Sequence, residues 1–168
     1  MTAKRFAAVS SCFGAIALML GATQALAAGS TTVLKFYDAS TQSTGVGFDA
    51  NDPNAIPPIG GSVVTTITLH NIGAQFGKRS GAAVGHVLLD CTVLAVNIST
   101  ESVGGICSGI AHVPNGYFTF GGNGGFVDAR VAYFDITGGV GPYANDRGQI
   151  EVVNNKNGSS VATVTLSS

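Results

Sequence analysis

The chain has 168 residues, 45% of them hydrophobic and 10% charged, with 24 glycines and a formal net charge of −1. That length supports one hydrophobic core, and so apolar a composition excludes intrinsic disorder. Beyond the N-terminal segment Lys78 and Arg79 form the one adjacent basic pair, so the chain lacks the basic cluster that nucleic acid or an anionic membrane surface requires.

In chain order the first element is a leader. Lys4 and Arg5 precede the apolar run "FAAVSSCFGAIALML", and "ALA" at 25–27 offers a small-residue cleavage site. That order predicts a signal peptide over 1–27, its apolar run shorter than the roughly 20 residues a bilayer span needs. The mature domain is then 28–168, secreted or periplasmic, with no stable membrane insertion after cleavage. It keeps six basic against nine acidic residues. It also keeps two cysteines, Cys91 and Cys107. In an oxidising compartment an isolated pair is more often a disulfide than a metal site.

The mature region reads as strands and turns. Segments 33–38, 62–70, 86–97, 105–113, 117–120, 127–136, 149–154 and 161–166 are rich in Val, Ile, Thr, Tyr and Phe. Between them stand "PNG", "GGNGG" and "NNKNG", the last predicting a hairpin turn at Asn157 and Gly158. Short strands so closely spaced predict an all-β barrel or sandwich. The exception is 39–61, which has no periodicity and three of the five prolines, and reads as a long surface loop. Its Asp49, Asn51 and Asp52 do not follow a calcium-loop spacing, so solvated side chains are the expectation there. If strands 85–97 and 105–113 pair about Ser99, Cys91 and Cys107 fall opposite each other, within disulfide reach.

Alternation along the strands sorts side chains by face. In "VLKFYD" Asp38 shares a side with Leu34 and Phe36. In "HVLLDCTVLAVN" Asp90 shares one with Leu88, Leu94 and Val96, while Cys91 goes with Val87, Leu89 and Val93. A carboxylate on an apolar face ends its strand in water, is held by a partner, or works with a raised pKa. None of the familiar hydrolase, zinc-protease, redox or nucleotide-loop motifs occurs, and His70, His86 and His112 are spread one per strand.

"ESVGGICSGIAHVP" and "ITGGVGPYANDRGQIEV" resemble the two most recognisable segments of the allene oxide cyclases and, more distantly, of the dirigent proteins. The likeness covers roughly 84–153, and "VLKFYDAST" is similar to the first strand of that family with its acidic residue. What it implies is a small antiparallel eight-stranded β-barrel, usually a homotrimer. Such a barrel takes a hydrophobic small molecule into an elongated cavity without a cofactor or metal, and steers its cyclisation or coupling by shape. Asp38 matches the family's first-strand acid, Cys107 its cavity cysteine, and Arg147 the dirigent arginine. The cyclases' cavity tyrosine falls on Ala129, and the dirigent aspartate on Pro142.

Gly138, Gly139 and Gly141 predict a tight reversal before Pro142, but leave Arg147 unexplained. It is either a surface arginine paired with Asp135 or Asp146, or a cation at the cavity mouth. Two classes of function stay open at this point. One is an isomerase- or cyclase-like barrel with catalytic Asp38, Arg147 and, where it is not bridged, Cys107. The other is a non-catalytic extracellular barrel that binds a ligand or serves a structural role.

Overall fold

A computed structural model describes residues 30–49, 52, 55–97, 102–125, 130–155 and 159–168, with backbone alone at 39–41, 102, 124 and 125. The signal peptide over 1–27, the start of the predicted strand at 127–129 and the Asn157–Gly158 turn lie outside these residues. Eight strands form: β1 (Thr31–Val46), β2 (Ser62–Asn71), β3 (Ala83–Asn97), β4 (Ser102–Val113), β5 (Gly116–Gly125), β6 (Val131–Val140), β7 (Arg147–Asn154) and β8 (Ser160–Ser167). Each pairs antiparallel with its sequence neighbour, and β8 returns to β1, closing the sheet into a barrel. Closure gives every strand a partner on both sides over part of its length.

Every predicted strand is present, and the largest difference is at β1. The expected loop at 39–61 is strand as far as Val46, across a register shift between Asp38 and Thr41. This stretch lacks apolar alternation, so pattern reading misses it. It is held instead by the β2 ladder and by a cross-strand hydroxyl pair, Ser43 Oγ and Thr65 Oγ1 at 3.1 Å. Further on, Gly60 and Gly61 exchange backbone hydrogen bonds with Val93, both 2.8 Å, which fastens the end of this connection to β3.

The reversal after β6 is a single turn of 3-10 helix at Gly141–Tyr143. Of the three glycines only Gly141 has a positive φ, +71°. Gly139 is extended and makes room instead, since a Cβ there would strike the Tyr143 carbonyl. Tyr143 folds back over the barrel end, 7% exposed, its ring edge-on to Phe118 with centroids 5.9 Å apart.

An eight-stranded barrel is just wide enough either to be filled by its own side chains or to hold one small ligand. This one does both, at different heights. Toward the end where β1 starts, Leu34, Val84, Val113, Ile136, Tyr143 and Leu166 are buried in contact and fill the interior. The connection from β2 to β3 caps that end. Its Phe76 lies parallel to Phe36, centroids 6.3 Å apart. Asn71, fully buried, ties the connection down: its Nδ2 donates to the carbonyls of Gln75 at 3.0 Å and Lys78 at 3.4 Å. Gln75 in turn clamps β1, with Nε2 donating to the Lys35 carbonyl at 2.6 Å and Oε1 accepting the Lys35 N–H at 3.1 Å.

Candidate functional site

Above the layer of Phe36, Leu69, Phe118 and Val164 the interior is hollow. A cavity of about 210 Å³ runs from this floor toward the opposite end. A buried water needs about 10–15 Å³, so the space suits an organic molecule. Its lining includes Phe118, Phe120 and Phe134 from β5 and β6, the cysteines Cys91 and Cys107 from β3 and β4, and the aliphatic side chains of Ile67, Val87, Leu89, Ile150 and Val152. Phe120 and Phe134 meet edge-to-face at 5.6 Å, which fixes both rings.

At the rim the polar residues Asp38, Asn154 and Ser160 line the cavity. Asp38 follows Leu34 and Phe36 on the inward side of β1, as the alternation predicts, and is partly buried. Its Oδ1 accepts the backbone N–H of Ser160 at 2.5 Å, and the Ser160 hydroxyl donates to Asn154 Oδ1 at 2.7 Å. This network joins β1, β7 and β8 across the seam that closes the barrel. The β7–β8 connection is tightened beside it by Asn155 N donating to the Ser159 carbonyl at 2.8 Å. Asp38 is the one charged side chain among the described residues that line the cavity. Sequence reading finds it by periodicity, whereas Ser160 and Asn154 carry no local signal: they reach the rim through strand pairing across most of the chain.

Cys91 and Cys107 stand opposite each other in the β3–β4 ladder and are bonded as a disulfide. They are 3% and 2% exposed and form part of the cavity wall. A bridged sulfur is no nucleophile, so the catalytic thiol considered for Cys107 is withdrawn.

Arg147 does not join Asp38. It starts β7 opposite Ser167, at the filled end, whereas Ser160 beside Asp38 starts β8 at the open end. Seven residues of strand separate Ser160 from Ser167, roughly 23 Å at about 3.3 Å per residue. Arg147 is exposed, lies outside the cavity lining, and donates from its guanidinium to the Asp146 carbonyl at 2.9 Å. The expected mouth cation is therefore a surface residue of the far end. Its neighbour Gly148 is required by packing, since a Cβ there would run into the Thr165 carbonyl. Tyr133, the tyrosine nearest the cyclase position, is 52% exposed on the outer face.

Asp90 is exposed with Leu88 and Leu94, so its apolar neighbours form the outer face, and the Cys91 side faces inward. The histidines stand one per strand, and two of them meet: His86 and His112 are ladder partners with rings stacked at 4.8 Å, and His112 leans on Tyr117 at 5.4 Å. His70 instead stacks on Tyr37 at 5.2 Å. Among the described residues no three metal-ligating side chains converge, and no helix is long and apolar enough to cross a membrane. The disulfide is of the kind that persists in oxidising compartments.

No protein-family model matches the chain, and no curated protein matches its sequence. Solved structures do match. A pyocyanin demethylase superposes with a TM-score of 0.57 at 19% identity, over 82% of this chain and 99% of the other. AbnU, an exo-specific intermolecular Diels–Alderase, gives 0.59 at 14%, over 83% and 98%. A pterocarpan synthase dirigent protein gives 0.54 at 16%, over 82% and 93%. The barrel is thus of the dirigent and cyclase kind in fold.

Proposed function

We propose that this protein is an extracytoplasmic barrel that takes an apolar small organic molecule into its one-ended cavity and steers its cyclisation or coupling by shape, with Asp38 as the polar contact. The observation that supports the reading best is the division of the interior. A barrel built for stability alone is filled throughout. Here a cavity of about 210 Å³ is left open, lined in part by aromatic rings packed on each other, with a carboxylate at its rim.

The similar structures have names that span a demethylation, a cycloaddition and a pterocarpan synthesis. The fold therefore does not choose the reaction, and the site must. With one charged side chain among the described lining residues, rate enhancement comes from confining the reactant in a productive conformer, which alone supplies several kcal/mol. Asp38 adds a hydrogen-bond acceptor or proton acceptor at one pole. A cofactor-free mechanism and a homotrimer are the finer parts of this proposal. Sedimentation velocity tests the last.

Native mass spectrometry of protein purified without detergent is the deciding experiment. A retained small organic molecule that is released on unfolding supports the proposal. Wild type and Asp38→Asn, each incubated with that molecule, then separate the two classes. An enzyme converts it and loses conversion in the variant, whereas a carrier returns it unchanged and loses affinity alone. Protein that retains nothing and binds no apolar probe argues for a structural barrel.

A further inference from the structure

The cavity has a sign. Its one charged lining residue among those described is an anion, Asp38, and the other rim groups, Ser160 and Asn154, are neutral. The candidate cation that would balance it, Arg147, is at the other end of the barrel. The same asymmetry extends over the surface. Among the described residues, the open end carries exposed Asp49 and Asp52 in the β1–β2 connection, against exposed Arg130 just before β6. Around the filled end stand exposed Lys35, Lys78, Arg79 and Arg147, against Asp146. Four of the six basic residues downstream of 27 are thus grouped away from the entrance.

A field of this shape draws cations toward the open end and turns anions away. A ligand carboxylate entering this cavity would lose water and meet Asp38 with like charge, an arrangement that low dielectric makes costly.

Resting on the cavity reading above, we infer that the ligand has an apolar body and a cationic nitrogen pole, an amine or a nitrogen heterocycle, that docks on Asp38 at the rim. Fatty acids and other apolar carboxylates are excluded as the preferred class. The polar pole sits at the mouth and the apolar body points to the Phe36 and Phe118 floor, which fixes which end of the molecule is folded within the walls.

The test uses the neutral fluorophore N-phenyl-1-naphthylamine as the cavity probe, displaced by octylamine, octanol or octanoate at low salt. Chain length is constant across the three, so only the pole differs. The expected result is displacement by octylamine at a concentration at least tenfold below octanoate, with octanol between. Asp38→Asn keeps an acceptor for the Ser160 N–H and should bring octylamine to the octanol level, with probe affinity retained. Asn154→Asp, which adds a carboxylate beside the same hydroxyl, should widen the gap, and serves where the first variant does not fold. Arg147→Ala should leave the order unchanged. Octanoate binding as well as octylamine while the probe binds normally overturns the inference and leaves the cavity reading intact. A ratio that neither rim variant changes does the same. Failure of the probe to bind overturns both.

Discussion

The two ends of this barrel are made from the same eight strands and do opposite things. At the filled end Phe76 and Tyr143 are folded inward from connections, and Asn71 and Gln75 pin the β2–β3 connection with side-chain hydrogen bonds to the backbone. At the open end the rim holds Asp38, Ser160 and Asn154 around a void lined by apolar side chains. Void surface forgoes the dispersion contacts that a filled core makes, so the open half contributes less to stability than its apolar content suggests. The filled half must then hold the barrel shape for both.

Substitutions can break this division of labour, and the largest loss should come at the floor. Phe36 is 1% exposed and touches both the Phe76 cap and the cavity. Phe36→Ala is expected to cost about 3–5 kcal/mol, read as the shift in denaturant midpoint. A loss below 1 kcal/mol on this scale would mean that the cap contributes little.

Next is the bridge in the cavity wall. Cys91→Ser with Cys107→Ser removes a cross-link of sequence separation 16, worth about 3 kcal/mol on a chain-entropy account. The same equilibrium unfolding measurement reads it, and thiol titration of unfolded, unreduced wild type should find no free sulfhydryl from the pair. Two titratable thiols there would contradict the structure.

Asn71→Ala comes third, at about 1–3 kcal/mol, because two carbonyls lose the amide that reaches them. Its own Oδ1 is buried without a partner, so Asn71 stabilises through its donor side alone. The loss should appear together with faster amide exchange in 72–82 and unchanged exchange around Ser160. Equal acceleration at both ends would refute the separation of the two halves.

Tyr143 gives a smaller effect, confined to alkaline pH. Burial, assisted by the Asp146 carboxylate, raises its pKa above the usual 10.0. The folded state holds the phenolic proton more tightly than the unfolded chain. Its contribution to stability is therefore complete below about pH 10 and is lost as pH rises through the raised folded value. Tyr143→Phe should flatten the alkaline fall in melting temperature, with Asp146→Asn changing it less. Parallel curves for wild type and Tyr143→Phe would count against this account. Arg147→Ala is expected to be the mildest, within about 0.5 kcal/mol, with ligand binding intact. A large loss of binding there would reassign the residue to the site.

What could be read from the sequence follows from distance along the chain. Local enrichment in Val, Ile, Thr, Tyr and Phe located the strands and alternation put Asp38 on the inward side, since both depend on neighbours in one strand. A single turn centre placed Cys91 against Cys107. The same centre places His86 against His112, so that ring pair was equally legible, although the histidines stand one per strand. The extension of β1 to Val46 was hidden because hydroxyl pairing and ladder bonds, not apolar contacts, hold it. Alternation left the face of Asp90 open because the outer wall of β3 is apolar as well: Leu88 and Leu94 are 43% and 52% exposed. Arg147 was drawn to the cavity by its likeness to a family position, while its place at the start of β7 fixes it at the end remote from Asp38.

The hydrogen bond from Ser160 to Asp38 joins residues 122 positions apart. Contacts so distant in sequence form late, after nearer pairings have shortened the effective loop, and they slow the folding of β-rich chains. The rim is therefore assembled when the first and last strands meet. A chain with all eight strands paired in order and this seam still open has most of its hydrogen bonds and no binding site. A ligand that needs Asp38 recognises the completed barrel alone, so its presence during refolding should deplete the open-seam form without accelerating the hairpins that precede it.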